Sequence, residues 1–225
     1  MSTVILACSA LADYVRAAQK KMETDYPVIE VDRNYHDRPK ILRSMIEEAM
    51  GKVPEEADTL LIAMGACGNC WEGLTWNGTM VIPRMDDCVT ILLHKDDKWY
   101  PNLKKPGHFY QIDEEHDHFL PTMMYQRTVE KYGERRAKRV CDMMFESYTN
   151  VDVVDTGVFD CHEDAYVAKM QREADFINVT LGFVEGSNLI LEKLVSGNWD
   201  EQFIIIKPGV PIEGRKFLEI TSDMR

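Results

Sequence analysis

Apolar residues in the first ninety positions alternate between short runs and helical stripes. The runs at 4–7, 28–31, 59–64 and 80–82 predict strands. Between them, segments 10–22 and 39–50 place apolar side chains at helical spacing, and Gly51 ends the second stripe. Residues 89–93 predict one further helix. Strands that alternate with helices are typical of a parallel sheet covered on both faces.

The pattern changes after residue 94 and then resumes. Residues 95–121 are polar and charged, with one predicted strand at 108–112, and two helices are predicted over 122–132 and 134–148. A second series follows, with strands at 151–154, 177–181 and 203–206 and helices at 163–176 and 187–195. The predicted fold class is α/β, with two Rossmann-like α/β lobes, mostly parallel sheets and a helical connecting region. The predicted divisions are a first lobe with the cysteine site at 1–94, an excursion and helical connection at 95–150, and a second lobe at 151–225.

Charge and hydropathy narrow the classes of partner. The chain has 225 residues, with Lys plus Arg 26 and Asp plus Glu 38, which gives a net charge of −12. Nucleic acids and anionic membranes are recognised largely through cationic side chains, so neither is an expected partner. The apolar runs are far shorter than the ~20 residues of a membrane span, and the N-terminus has no basic region typical of a signal peptide. We therefore expect a cytoplasmic protein.

Six cysteines in a cytoplasmic chain are expected to be reduced thiols or metal ligands. Cys8 ends the first predicted strand, Cys67 follows the third and Cys88 follows the fourth. Ligands of parallel α/β sheets bind beyond the carboxyl ends of the strands, so these three thiols are predicted to bind one metal centre. The alternative is that each cysteine packs as a small apolar side chain.

The residues around Cys67 add candidates for the same site. Gly65, Gly68 and Asn69 are predicted to bring backbone amides close to a bound group. Cys70 makes a C-x-x-C pair with Cys67 and is a candidate fourth thiolate. The same pair could instead act as a dithiol redox couple.

Arg84 and Asp87 lie just before Cys88 and are the candidate catalytic residues. Asp87 is predicted to cap a helix that begins near Cys88, and both the helix dipole and a nearby guanidinium would lower the pKa of that thiol. Arg84 could bind a substrate carboxylate, or it could form an ion pair with Asp86 or Asp87.

Three further features have weaker signals. The cluster at 113–118 contains His116 and His118 among carboxylates, which suits either a divalent metal or a solvated acidic loop. Cys161 follows a strand end in the second series and is a candidate additional ligand. Cys141 lies on an apolar helical stripe and is predicted to be core.

Several of these motifs occur together in one known family. The chain resembles the bacterial and archaeal family called domain of unknown function 1638 in its segments 65–69, 81–84, 87–88, 131–134, 154–157, 196–200 and 208–209, and at Tyr148. The resemblance implies the cysteine pattern Cys8, Cys67 and Cys88. It also implies a genomic association with corrinoid-dependent methyltransferases in anaerobes. The sequence departs from the family pattern at Cys70, Asp86, His94 and 107–118.

The sequence therefore predicts a metal-thiolate protein that acts on a small molecule in anaerobic metabolism. The cofactor is zinc or a [4Fe–4S] cluster, and the enzyme class, if it is an enzyme, is a metal-dependent methyltransferase or lyase. A corrinoid protein or methyltransferase is an expected partner. The alternatives are a [4Fe–4S] lyase or desulfurase, and a two-lobed binding module in which Arg84, Trp71 and the turn 155–157 hold a small acid.

Overall fold

A computed structural model describes residues 2–113 and 118–218. The chain divides into a first unit, Met1–Leu103 with Ser187–Arg225, and a second unit, Lys104–Gly186. Each unit contains a mostly parallel sheet and helices, which confirms the predicted α/β class. The strands are β1 Thr3–Cys8, β2 Val28–Val31, β3 Thr59–Ala63, β4 Thr79–Pro83, β5 His108–Gln111, β6 Asn150–Asp155, β7 Thr180–Glu185 and β8 Phe203–Ile206. The helices are α1 Ala12–Met22, α2 Pro39–Met50, α3 Cys88–Leu93, α4 Pro121–Tyr132, α5 Glu134–Phe145, α6 Asp164–Phe176 and α7 Leu189–Ser196.

The first unit has a five-stranded sheet in the order β2-β1-β3-β4-β8. The first four strands are parallel, and β8 pairs antiparallel with β4, with Met80 opposite Ile206. Strands β1 and β3 are buried along nearly their whole length. Their continuous apolar runs are the pattern expected of strands with both faces covered.

The second unit has a three-stranded parallel sheet in the order β5-β6-β7. Its core includes Leu120, Val153, Cys161, Tyr166 and Met170. Strand β6 is the central strand, so its carboxyl end at Asp155 lies between the ends of its two neighbours.

Three predictions about elements are corrected. The strand predicted at 177–181 lies later, at Thr180–Glu185, because the chain turns at Asn178 with φ 58°. The strand at 203–206 and helix α7 belong to the first unit, and α7 packs against α1. The compact units therefore do not coincide with the predicted segments 1–94, 95–150 and 151–225. An apolar run indicates a strand, but it does not indicate which strand will be its partner.

Candidate metal centre

The first sheet has a topological switch point between β1 and β3. The chain passes from β1 to its neighbour β2 on one side and then crosses to β3 on the other. In open parallel sheets the crevice at such a point is the usual ligand site. Cys8 is the last residue of β1, and Cys67 lies in the loop that follows β3. Two of the predicted ligands thus flank the switch point.

The loop that carries Cys67 has an uncommon backbone. Cys67, Gly68 and Asn69 have φ values of 42°, 70° and 64°, so three consecutive residues occupy the left-handed region. Backbone hydrogen bonds fix the start of this loop, because Ala66 N donates to Met85 O at 2.9 Å and Cys67 N donates to Asp86 O at 2.8 Å. These bonds align the Cys67 loop with the segment that leads to Cys88.

Cys88 is the first residue of α3, and Asp87 caps this helix. The Asp87 side chain accepts a hydrogen bond from Thr90 N at 2.9 Å. This confirms the predicted cap, in which a side-chain oxygen satisfies a backbone donor of the first helical turn. The Asp87 carboxylate thereby has a structural role at the start of the helix.

The structure brings the three thiols together. Cys88 shifts the pKa of both Cys8 and Cys67, and each of them shifts the pKa of Cys88, so the three thiols are neighbours. Cys8 and Cys88 are buried, and Cys67 is partly buried. A solvent-shielded group of thiols at a switch point is suited to a thiolate metal centre.

All three thiols have a raised pKa. The hydrogen bond to Cys88, followed by burial, raises the pKa of Cys8 well above its ordinary value. For Cys67 the hydrogen bond from Cys88 lowers the pKa. Burial and the neighbouring Cys70 and Cys8 raise the pKa by more than this, so the net shift is upward. The hydrogen bond to Cys67, together with burial, raises the pKa of Cys88, so the lowered value expected from the helix dipole is wrong. A metal would therefore have to displace bound protons from these thiols.

His36 is a candidate fourth donor that the sequence pattern did not indicate. Its Nε2 atom lies 3.7 Å from Cys8 Sγ. His36 ends a short 3-10 helix, Arg33–Tyr35, which follows β2, the neighbour of β1. The rule that ligands lie at strand ends, applied to β2 as it was to the cysteine strands, would have indicated this histidine.

Two hydrogen bonds hold the His36 segment beside Cys8. Ser9 Oγ, in the residue after Cys8, accepts from Arg33 N at 3.0 Å. Asp32 Oδ1 accepts from Asn34 N at 2.9 Å and caps the 3-10 helix. Partners of this kind orient the residues that contact a metal.

Arg33 gives the site a positive charge. Burial lowers the pKa of its guanidinium, while Cys8 and Cys88 act on it as neighbouring negative groups and raise it. Three thiolates and a neutral imidazole around a divalent ion would have a net charge of −1. A guanidinium beside two of those thiolates offsets this charge in a buried environment.

The donor spacing can be compared with that of a tetrahedral zinc site. Zn–S bonds of about 2.3 Å and Zn–N bonds of about 2.0–2.1 Å put a sulfur and a nitrogen ligand about 3.6 Å apart. The distance of 3.7 Å between Cys8 Sγ and His36 Nε2 agrees with this value. Within 2–113 and 118–218, however, Asp155, Cys161 and His162 are the only group whose three ligand atoms all lie within 4.8 Å of one another. We call the four candidate donors of the first unit the cysteine row (His36, Cys8, Cys88 and Cys67). They are more widely spaced than this, so they would have to draw together around one ion.

Cys70 lies beside the row rather than in it. Its thiol donates to Ala66 O at 3.6 Å, and burial raises its pKa to about 12. The thiol is thus directed at a backbone carbonyl of its own loop. His36 is better placed than Cys70 to be the fourth donor.

The predicted cofactor-binding residues hold the loop in place. Gly65 packs against the backbone of Asp87, and Gly68 lies beside Pro39. The Asn69 side chain packs against Gly214, where an added Cβ would meet its Oδ1 at 1.7 Å. The backbone N–H of Asn69 donates to Ala66 O at 2.9 Å, within the same loop.

Arg84 is buried against the segment that follows β8. Its Nε donates to Lys216 O at 2.8 Å, and its guanidinium lies 4.0 Å from the centre of the Trp99 ring. Trp71 is also buried, and its indole donates to Gly65 O at 3.0 Å. These contacts tie both side chains to the protein backbone, and the catalytic role of Arg84 stays a prediction.

The remaining candidates lie in the second unit. Cys141 is buried in α5, as predicted. Cys161 is buried at the start of the α6 segment, close to Asp155 and His162. His116 lies outside the described residues. The His118 ring packs against Phe119 with 4.9 Å between ring centres, and its carbonyl accepts from Arg127.

Together these features define an α/β protein of two units with a buried group of thiols at a sheet switch point. A family model described as "Protein of unknown function (DUF1638)" matches residues 31–195, and the chain belongs to this family, as the sequence motifs predicted. The match includes His36, Cys67 and Cys88 but begins after Cys8. Comparisons with curated proteins and with solved structures find no match. Among the described residues, no helix has the length and apolar character needed to cross a membrane.

Proposed function

We propose that Cys8, Cys67 and Cys88, with His36 as the fourth donor, bind one metal ion at which the protein acts on a small molecule. The observation that carries the proposal is the position of Cys88. Its thiol and each of the other two influence one another's pKa, so the three are neighbours, and Cys8 and Cys67 flank the switch point between β1 and β3. Cysteines that pack only as apolar side chains have no reason to be grouped from a strand end, a loop and a helix start at one edge of the sheet.

The donor set favours zinc over a [4Fe–4S] cluster. Three thiolates and one imidazole are an established zinc ligand set. In a tetrahedral zinc site the sulfur atoms lie about 3.8 Å apart, so the three thiols would have to draw closer together around the ion. A cubane cluster places its iron atoms between the cysteines and so holds them further apart. The distance of 3.7 Å between Cys8 Sγ and His36 Nε2, close to that of two ligands of one zinc ion, supports the smaller group.

His36 is the donor best suited to exchange with a substrate. It is partly exposed and follows a three-residue 3-10 helix, whereas Cys8 and Cys88 are buried at the ends of regular elements. A substrate atom that replaced its imidazole would gain a position beside the three thiolates. A small molecule with a thiol group fits this position, because a soft sulfur donor is favoured where thiolates already bind the metal.

The family resemblance adds a class of reaction, methyl-group transfer with a corrinoid protein as partner. A small thiol deprotonated at the centre would release its proton to solvent and attack the methyl carbon. A carbon–sulfur bond would form as the carbon–cobalt bond breaks, and the corrinoid would keep the bonding electron pair. Arg33 would stabilise the negative charge of the thiolates before transfer.

The experiment is elemental analysis and absorption spectroscopy of protein purified without oxygen. We expect about one equivalent of zinc at the cysteine site and no visible absorption. A brown protein with iron and sulfide would instead support the [4Fe–4S] lyase or desulfurase alternative. Metal-free protein whose three thiols titrate freely would exclude a metal centre and leave the binding-module alternative.

A further inference from the structure

The second unit contains its own group of converging donor atoms. Asp155, Cys161 and His162 offer a carboxylate oxygen, a thiol sulfur and an imidazole nitrogen that all lie within 4.8 Å of one another. The group lies at the carboxyl end of β6, the central strand of a parallel sheet. This is the position at which α/β sheets bind ligands, and it repeats in the second unit the placement of the thiols in the first.

The loop after β6 is folded so that one carboxylate oxygen stays available. Asp155 Oδ1 accepts from Gly157 N at 3.2 Å, which directs Oδ2 towards the other donors. Gly157 has φ 72°, a conformation that favours glycine and reverses the chain. Asp160 Oδ1 accepts from His162 N at 3.1 Å and fixes the backbone that carries the imidazole.

The three side chains are already close to one another. His162 Nε2 lies 3.0 Å from Asp155 Oδ2, and Cys161 Sγ lies within 4.8 Å of a ligand atom of each of these residues. The His162 ring packs against Phe183 with 4.6 Å between ring centres, so its orientation is set by a β7 side chain. The neighbouring carboxylates have other roles, since Glu163 caps α6 by accepting from Tyr166 N at 3.1 Å.

Access and charge also suit a divalent ion. The His162 and Asp155 side chains are 59% and 39% exposed, whereas Cys161 is 1% exposed within the core of this unit. An ion could therefore enter from solvent and reach a buried sulfur. One thiolate and one carboxylate would neutralise a divalent charge, so the site needs no additional counter-charge.

We propose that Asp155, Cys161 and His162 form a second metal site, which takes zinc through Asp155 Oδ2, Cys161 Sγ and His162 Nε2. Mixed sulfur, nitrogen and oxygen donors select zinc over magnesium and calcium, which require oxygen ligands. Three protein ligands leave a fourth tetrahedral position for water or for an anionic or carbonyl-containing ligand, as in catalytic zinc sites. The nitrogen and oxygen ligands of such a site lie about 3.4 Å apart. The His162–Asp155 pair would thus need to open by only a few tenths of an ångström.

Cobalt and cadmium substitution of the intact chain tests this site separately from the cysteine row. The variant Cys8→Ser/Cys67→Ser/Cys88→Ser should still bind one equivalent of Co²⁺, with a charge-transfer band that corresponds to a single thiolate. Adding Cys161→Ala or His162→Ala should weaken this binding by more than the about 10–100-fold typical of losing an outer-shell partner. The control Cys141→Ala, also a buried cysteine of the second unit, should leave it unchanged.

A second measurement covers the case in which the triple variant does not fold. Wild-type protein loaded with ¹¹³Cd should give one resonance characteristic of a sulfur, nitrogen and oxygen donor set, and His162→Ala should remove that resonance alone. The proposal is overturned if folded Cys161→Ala and His162→Ala proteins bind as much metal, with the same affinity, as wild type. If only this resonance appears, the cysteine row does not bind metal and the proposed function fails, while the second site stands.

Discussion

Gly65 and Asp87 are in backbone contact, and this contact leaves no space for a side chain at residue 65. A Cβ atom on Gly65 would lie 2.6 Å from Asp87 Cα and 2.7 Å from Asp87 N. The same two segments are joined by the hydrogen bonds from Ala66 N and Cys67 N to Met85 O and Asp86 O. The close approach of the two loops is what allows the Cys67 and Cys88 thiols to meet.

We expect Gly65→Ala to disturb the cysteine row and the fold together. The added methyl group would overlap the Asp87 backbone, which cannot move away as a flexible side chain could, so the free energy of unfolding should fall by about 1–3 kcal/mol. Zinc affinity should fall with it, because Cys67 and Cys88 would be pushed apart. Denaturant unfolding and a competitive zinc titration measure the two effects.

Gly51→Ala is the matched control for this change. Gly51 ends α2 with φ −67°, and the nearest atom to an added Cβ would be Glu48 O at 3.4 Å. The substitution should be neutral or should stabilise the protein by about 0.4–1 kcal/mol, through the unfolded state. Equal effects of the two substitutions would show that the Gly65–Asp87 contact has no special role.

His36→Ala should weaken zinc binding without removing the thiols. If its imidazole is the fourth donor, affinity measured by competition with a chromophoric chelator should fall by at least about tenfold. His36→Cys should restore affinity by supplying another soft donor. His118→Ala, which removes a histidine of the second unit, is the control. An unchanged affinity in His36→Ala would remove His36 from the ligand set.

Cys70→Ala should leave the metal content unchanged. The Cys70 thiol donates to Ala66 O and is not among the proposed ligands. Loss of this thiol should lower the free energy of unfolding by about 1 kcal/mol and leave the bound metal in place. Elemental analysis of the anaerobically purified variant checks this. A loss of one equivalent would assign Cys70 to the site in place of His36.

His94 should make the fold sensitive to mild acid. Its imidazole is buried directly after the end of α3. Nδ1 hydrogen-bonds to Thr90 O at 2.8 Å, and Nε2 accepts from Tyr100 N at 3.2 Å. The neutral ring is therefore the form that fits. Burial lowers its pKa below the ordinary value of 6.5. The unfolded chain therefore takes up the proton first, and the stabilisation present above pH 6.5 is lost as the pH falls below it.

Unfolding curves at a series of pH values test this sign. Wild type should lose stability as the pH falls from 6.5 towards about 5, and His94→Gln should show a smaller loss over the same range. The substitution His118→Gln should leave the wild-type slope unchanged. A slope that His94→Gln does not alter would assign the acid sensitivity to other groups.

The positions of Cys8, Cys67 and Cys88 at the strand ends of the first sheet were predictable from the sequence, and their convergence on one metal stays a prediction. Each thiol comes at or shortly after a strand of the first sheet, and parallel strands present their carboxyl ends on one edge. The cap at Asp87 was predictable for a similarly local reason, because a carboxylate before a helical run satisfies its first amides.

Other features depend on pairings that a sequence pattern does not encode. The run at 203–206 was recognised as a strand, but its antiparallel pairing with β4 depends on the path of the whole chain. The raised pKa of Cys88 depends on burial and on Cys67, which outweigh the helix terminus. His36 lies beyond the end of β2, a strand with no cysteine, and its approach to Cys8 depends on the fold of the 3-10 helix Arg33–Tyr35. The group Asp155, Cys161 and His162 required the turn at Gly157 to bring its members together.

The central claim is that the thiols around Cys88 bind a metal, and Cys88→Ser tests it most directly. Cys88 is the thiol whose pKa is linked to those of both Cys8 and Cys67, so its loss would remove the central donor. Metal content of anaerobically purified wild type, Cys88→Ser and the control Cys141→Ser should be measured side by side, together with the cobalt–thiolate charge-transfer absorption. The account predicts that Cys88→Ser alone loses one metal equivalent and the multi-thiolate band. Identical metal content and identical cobalt spectra in all three proteins would contradict it.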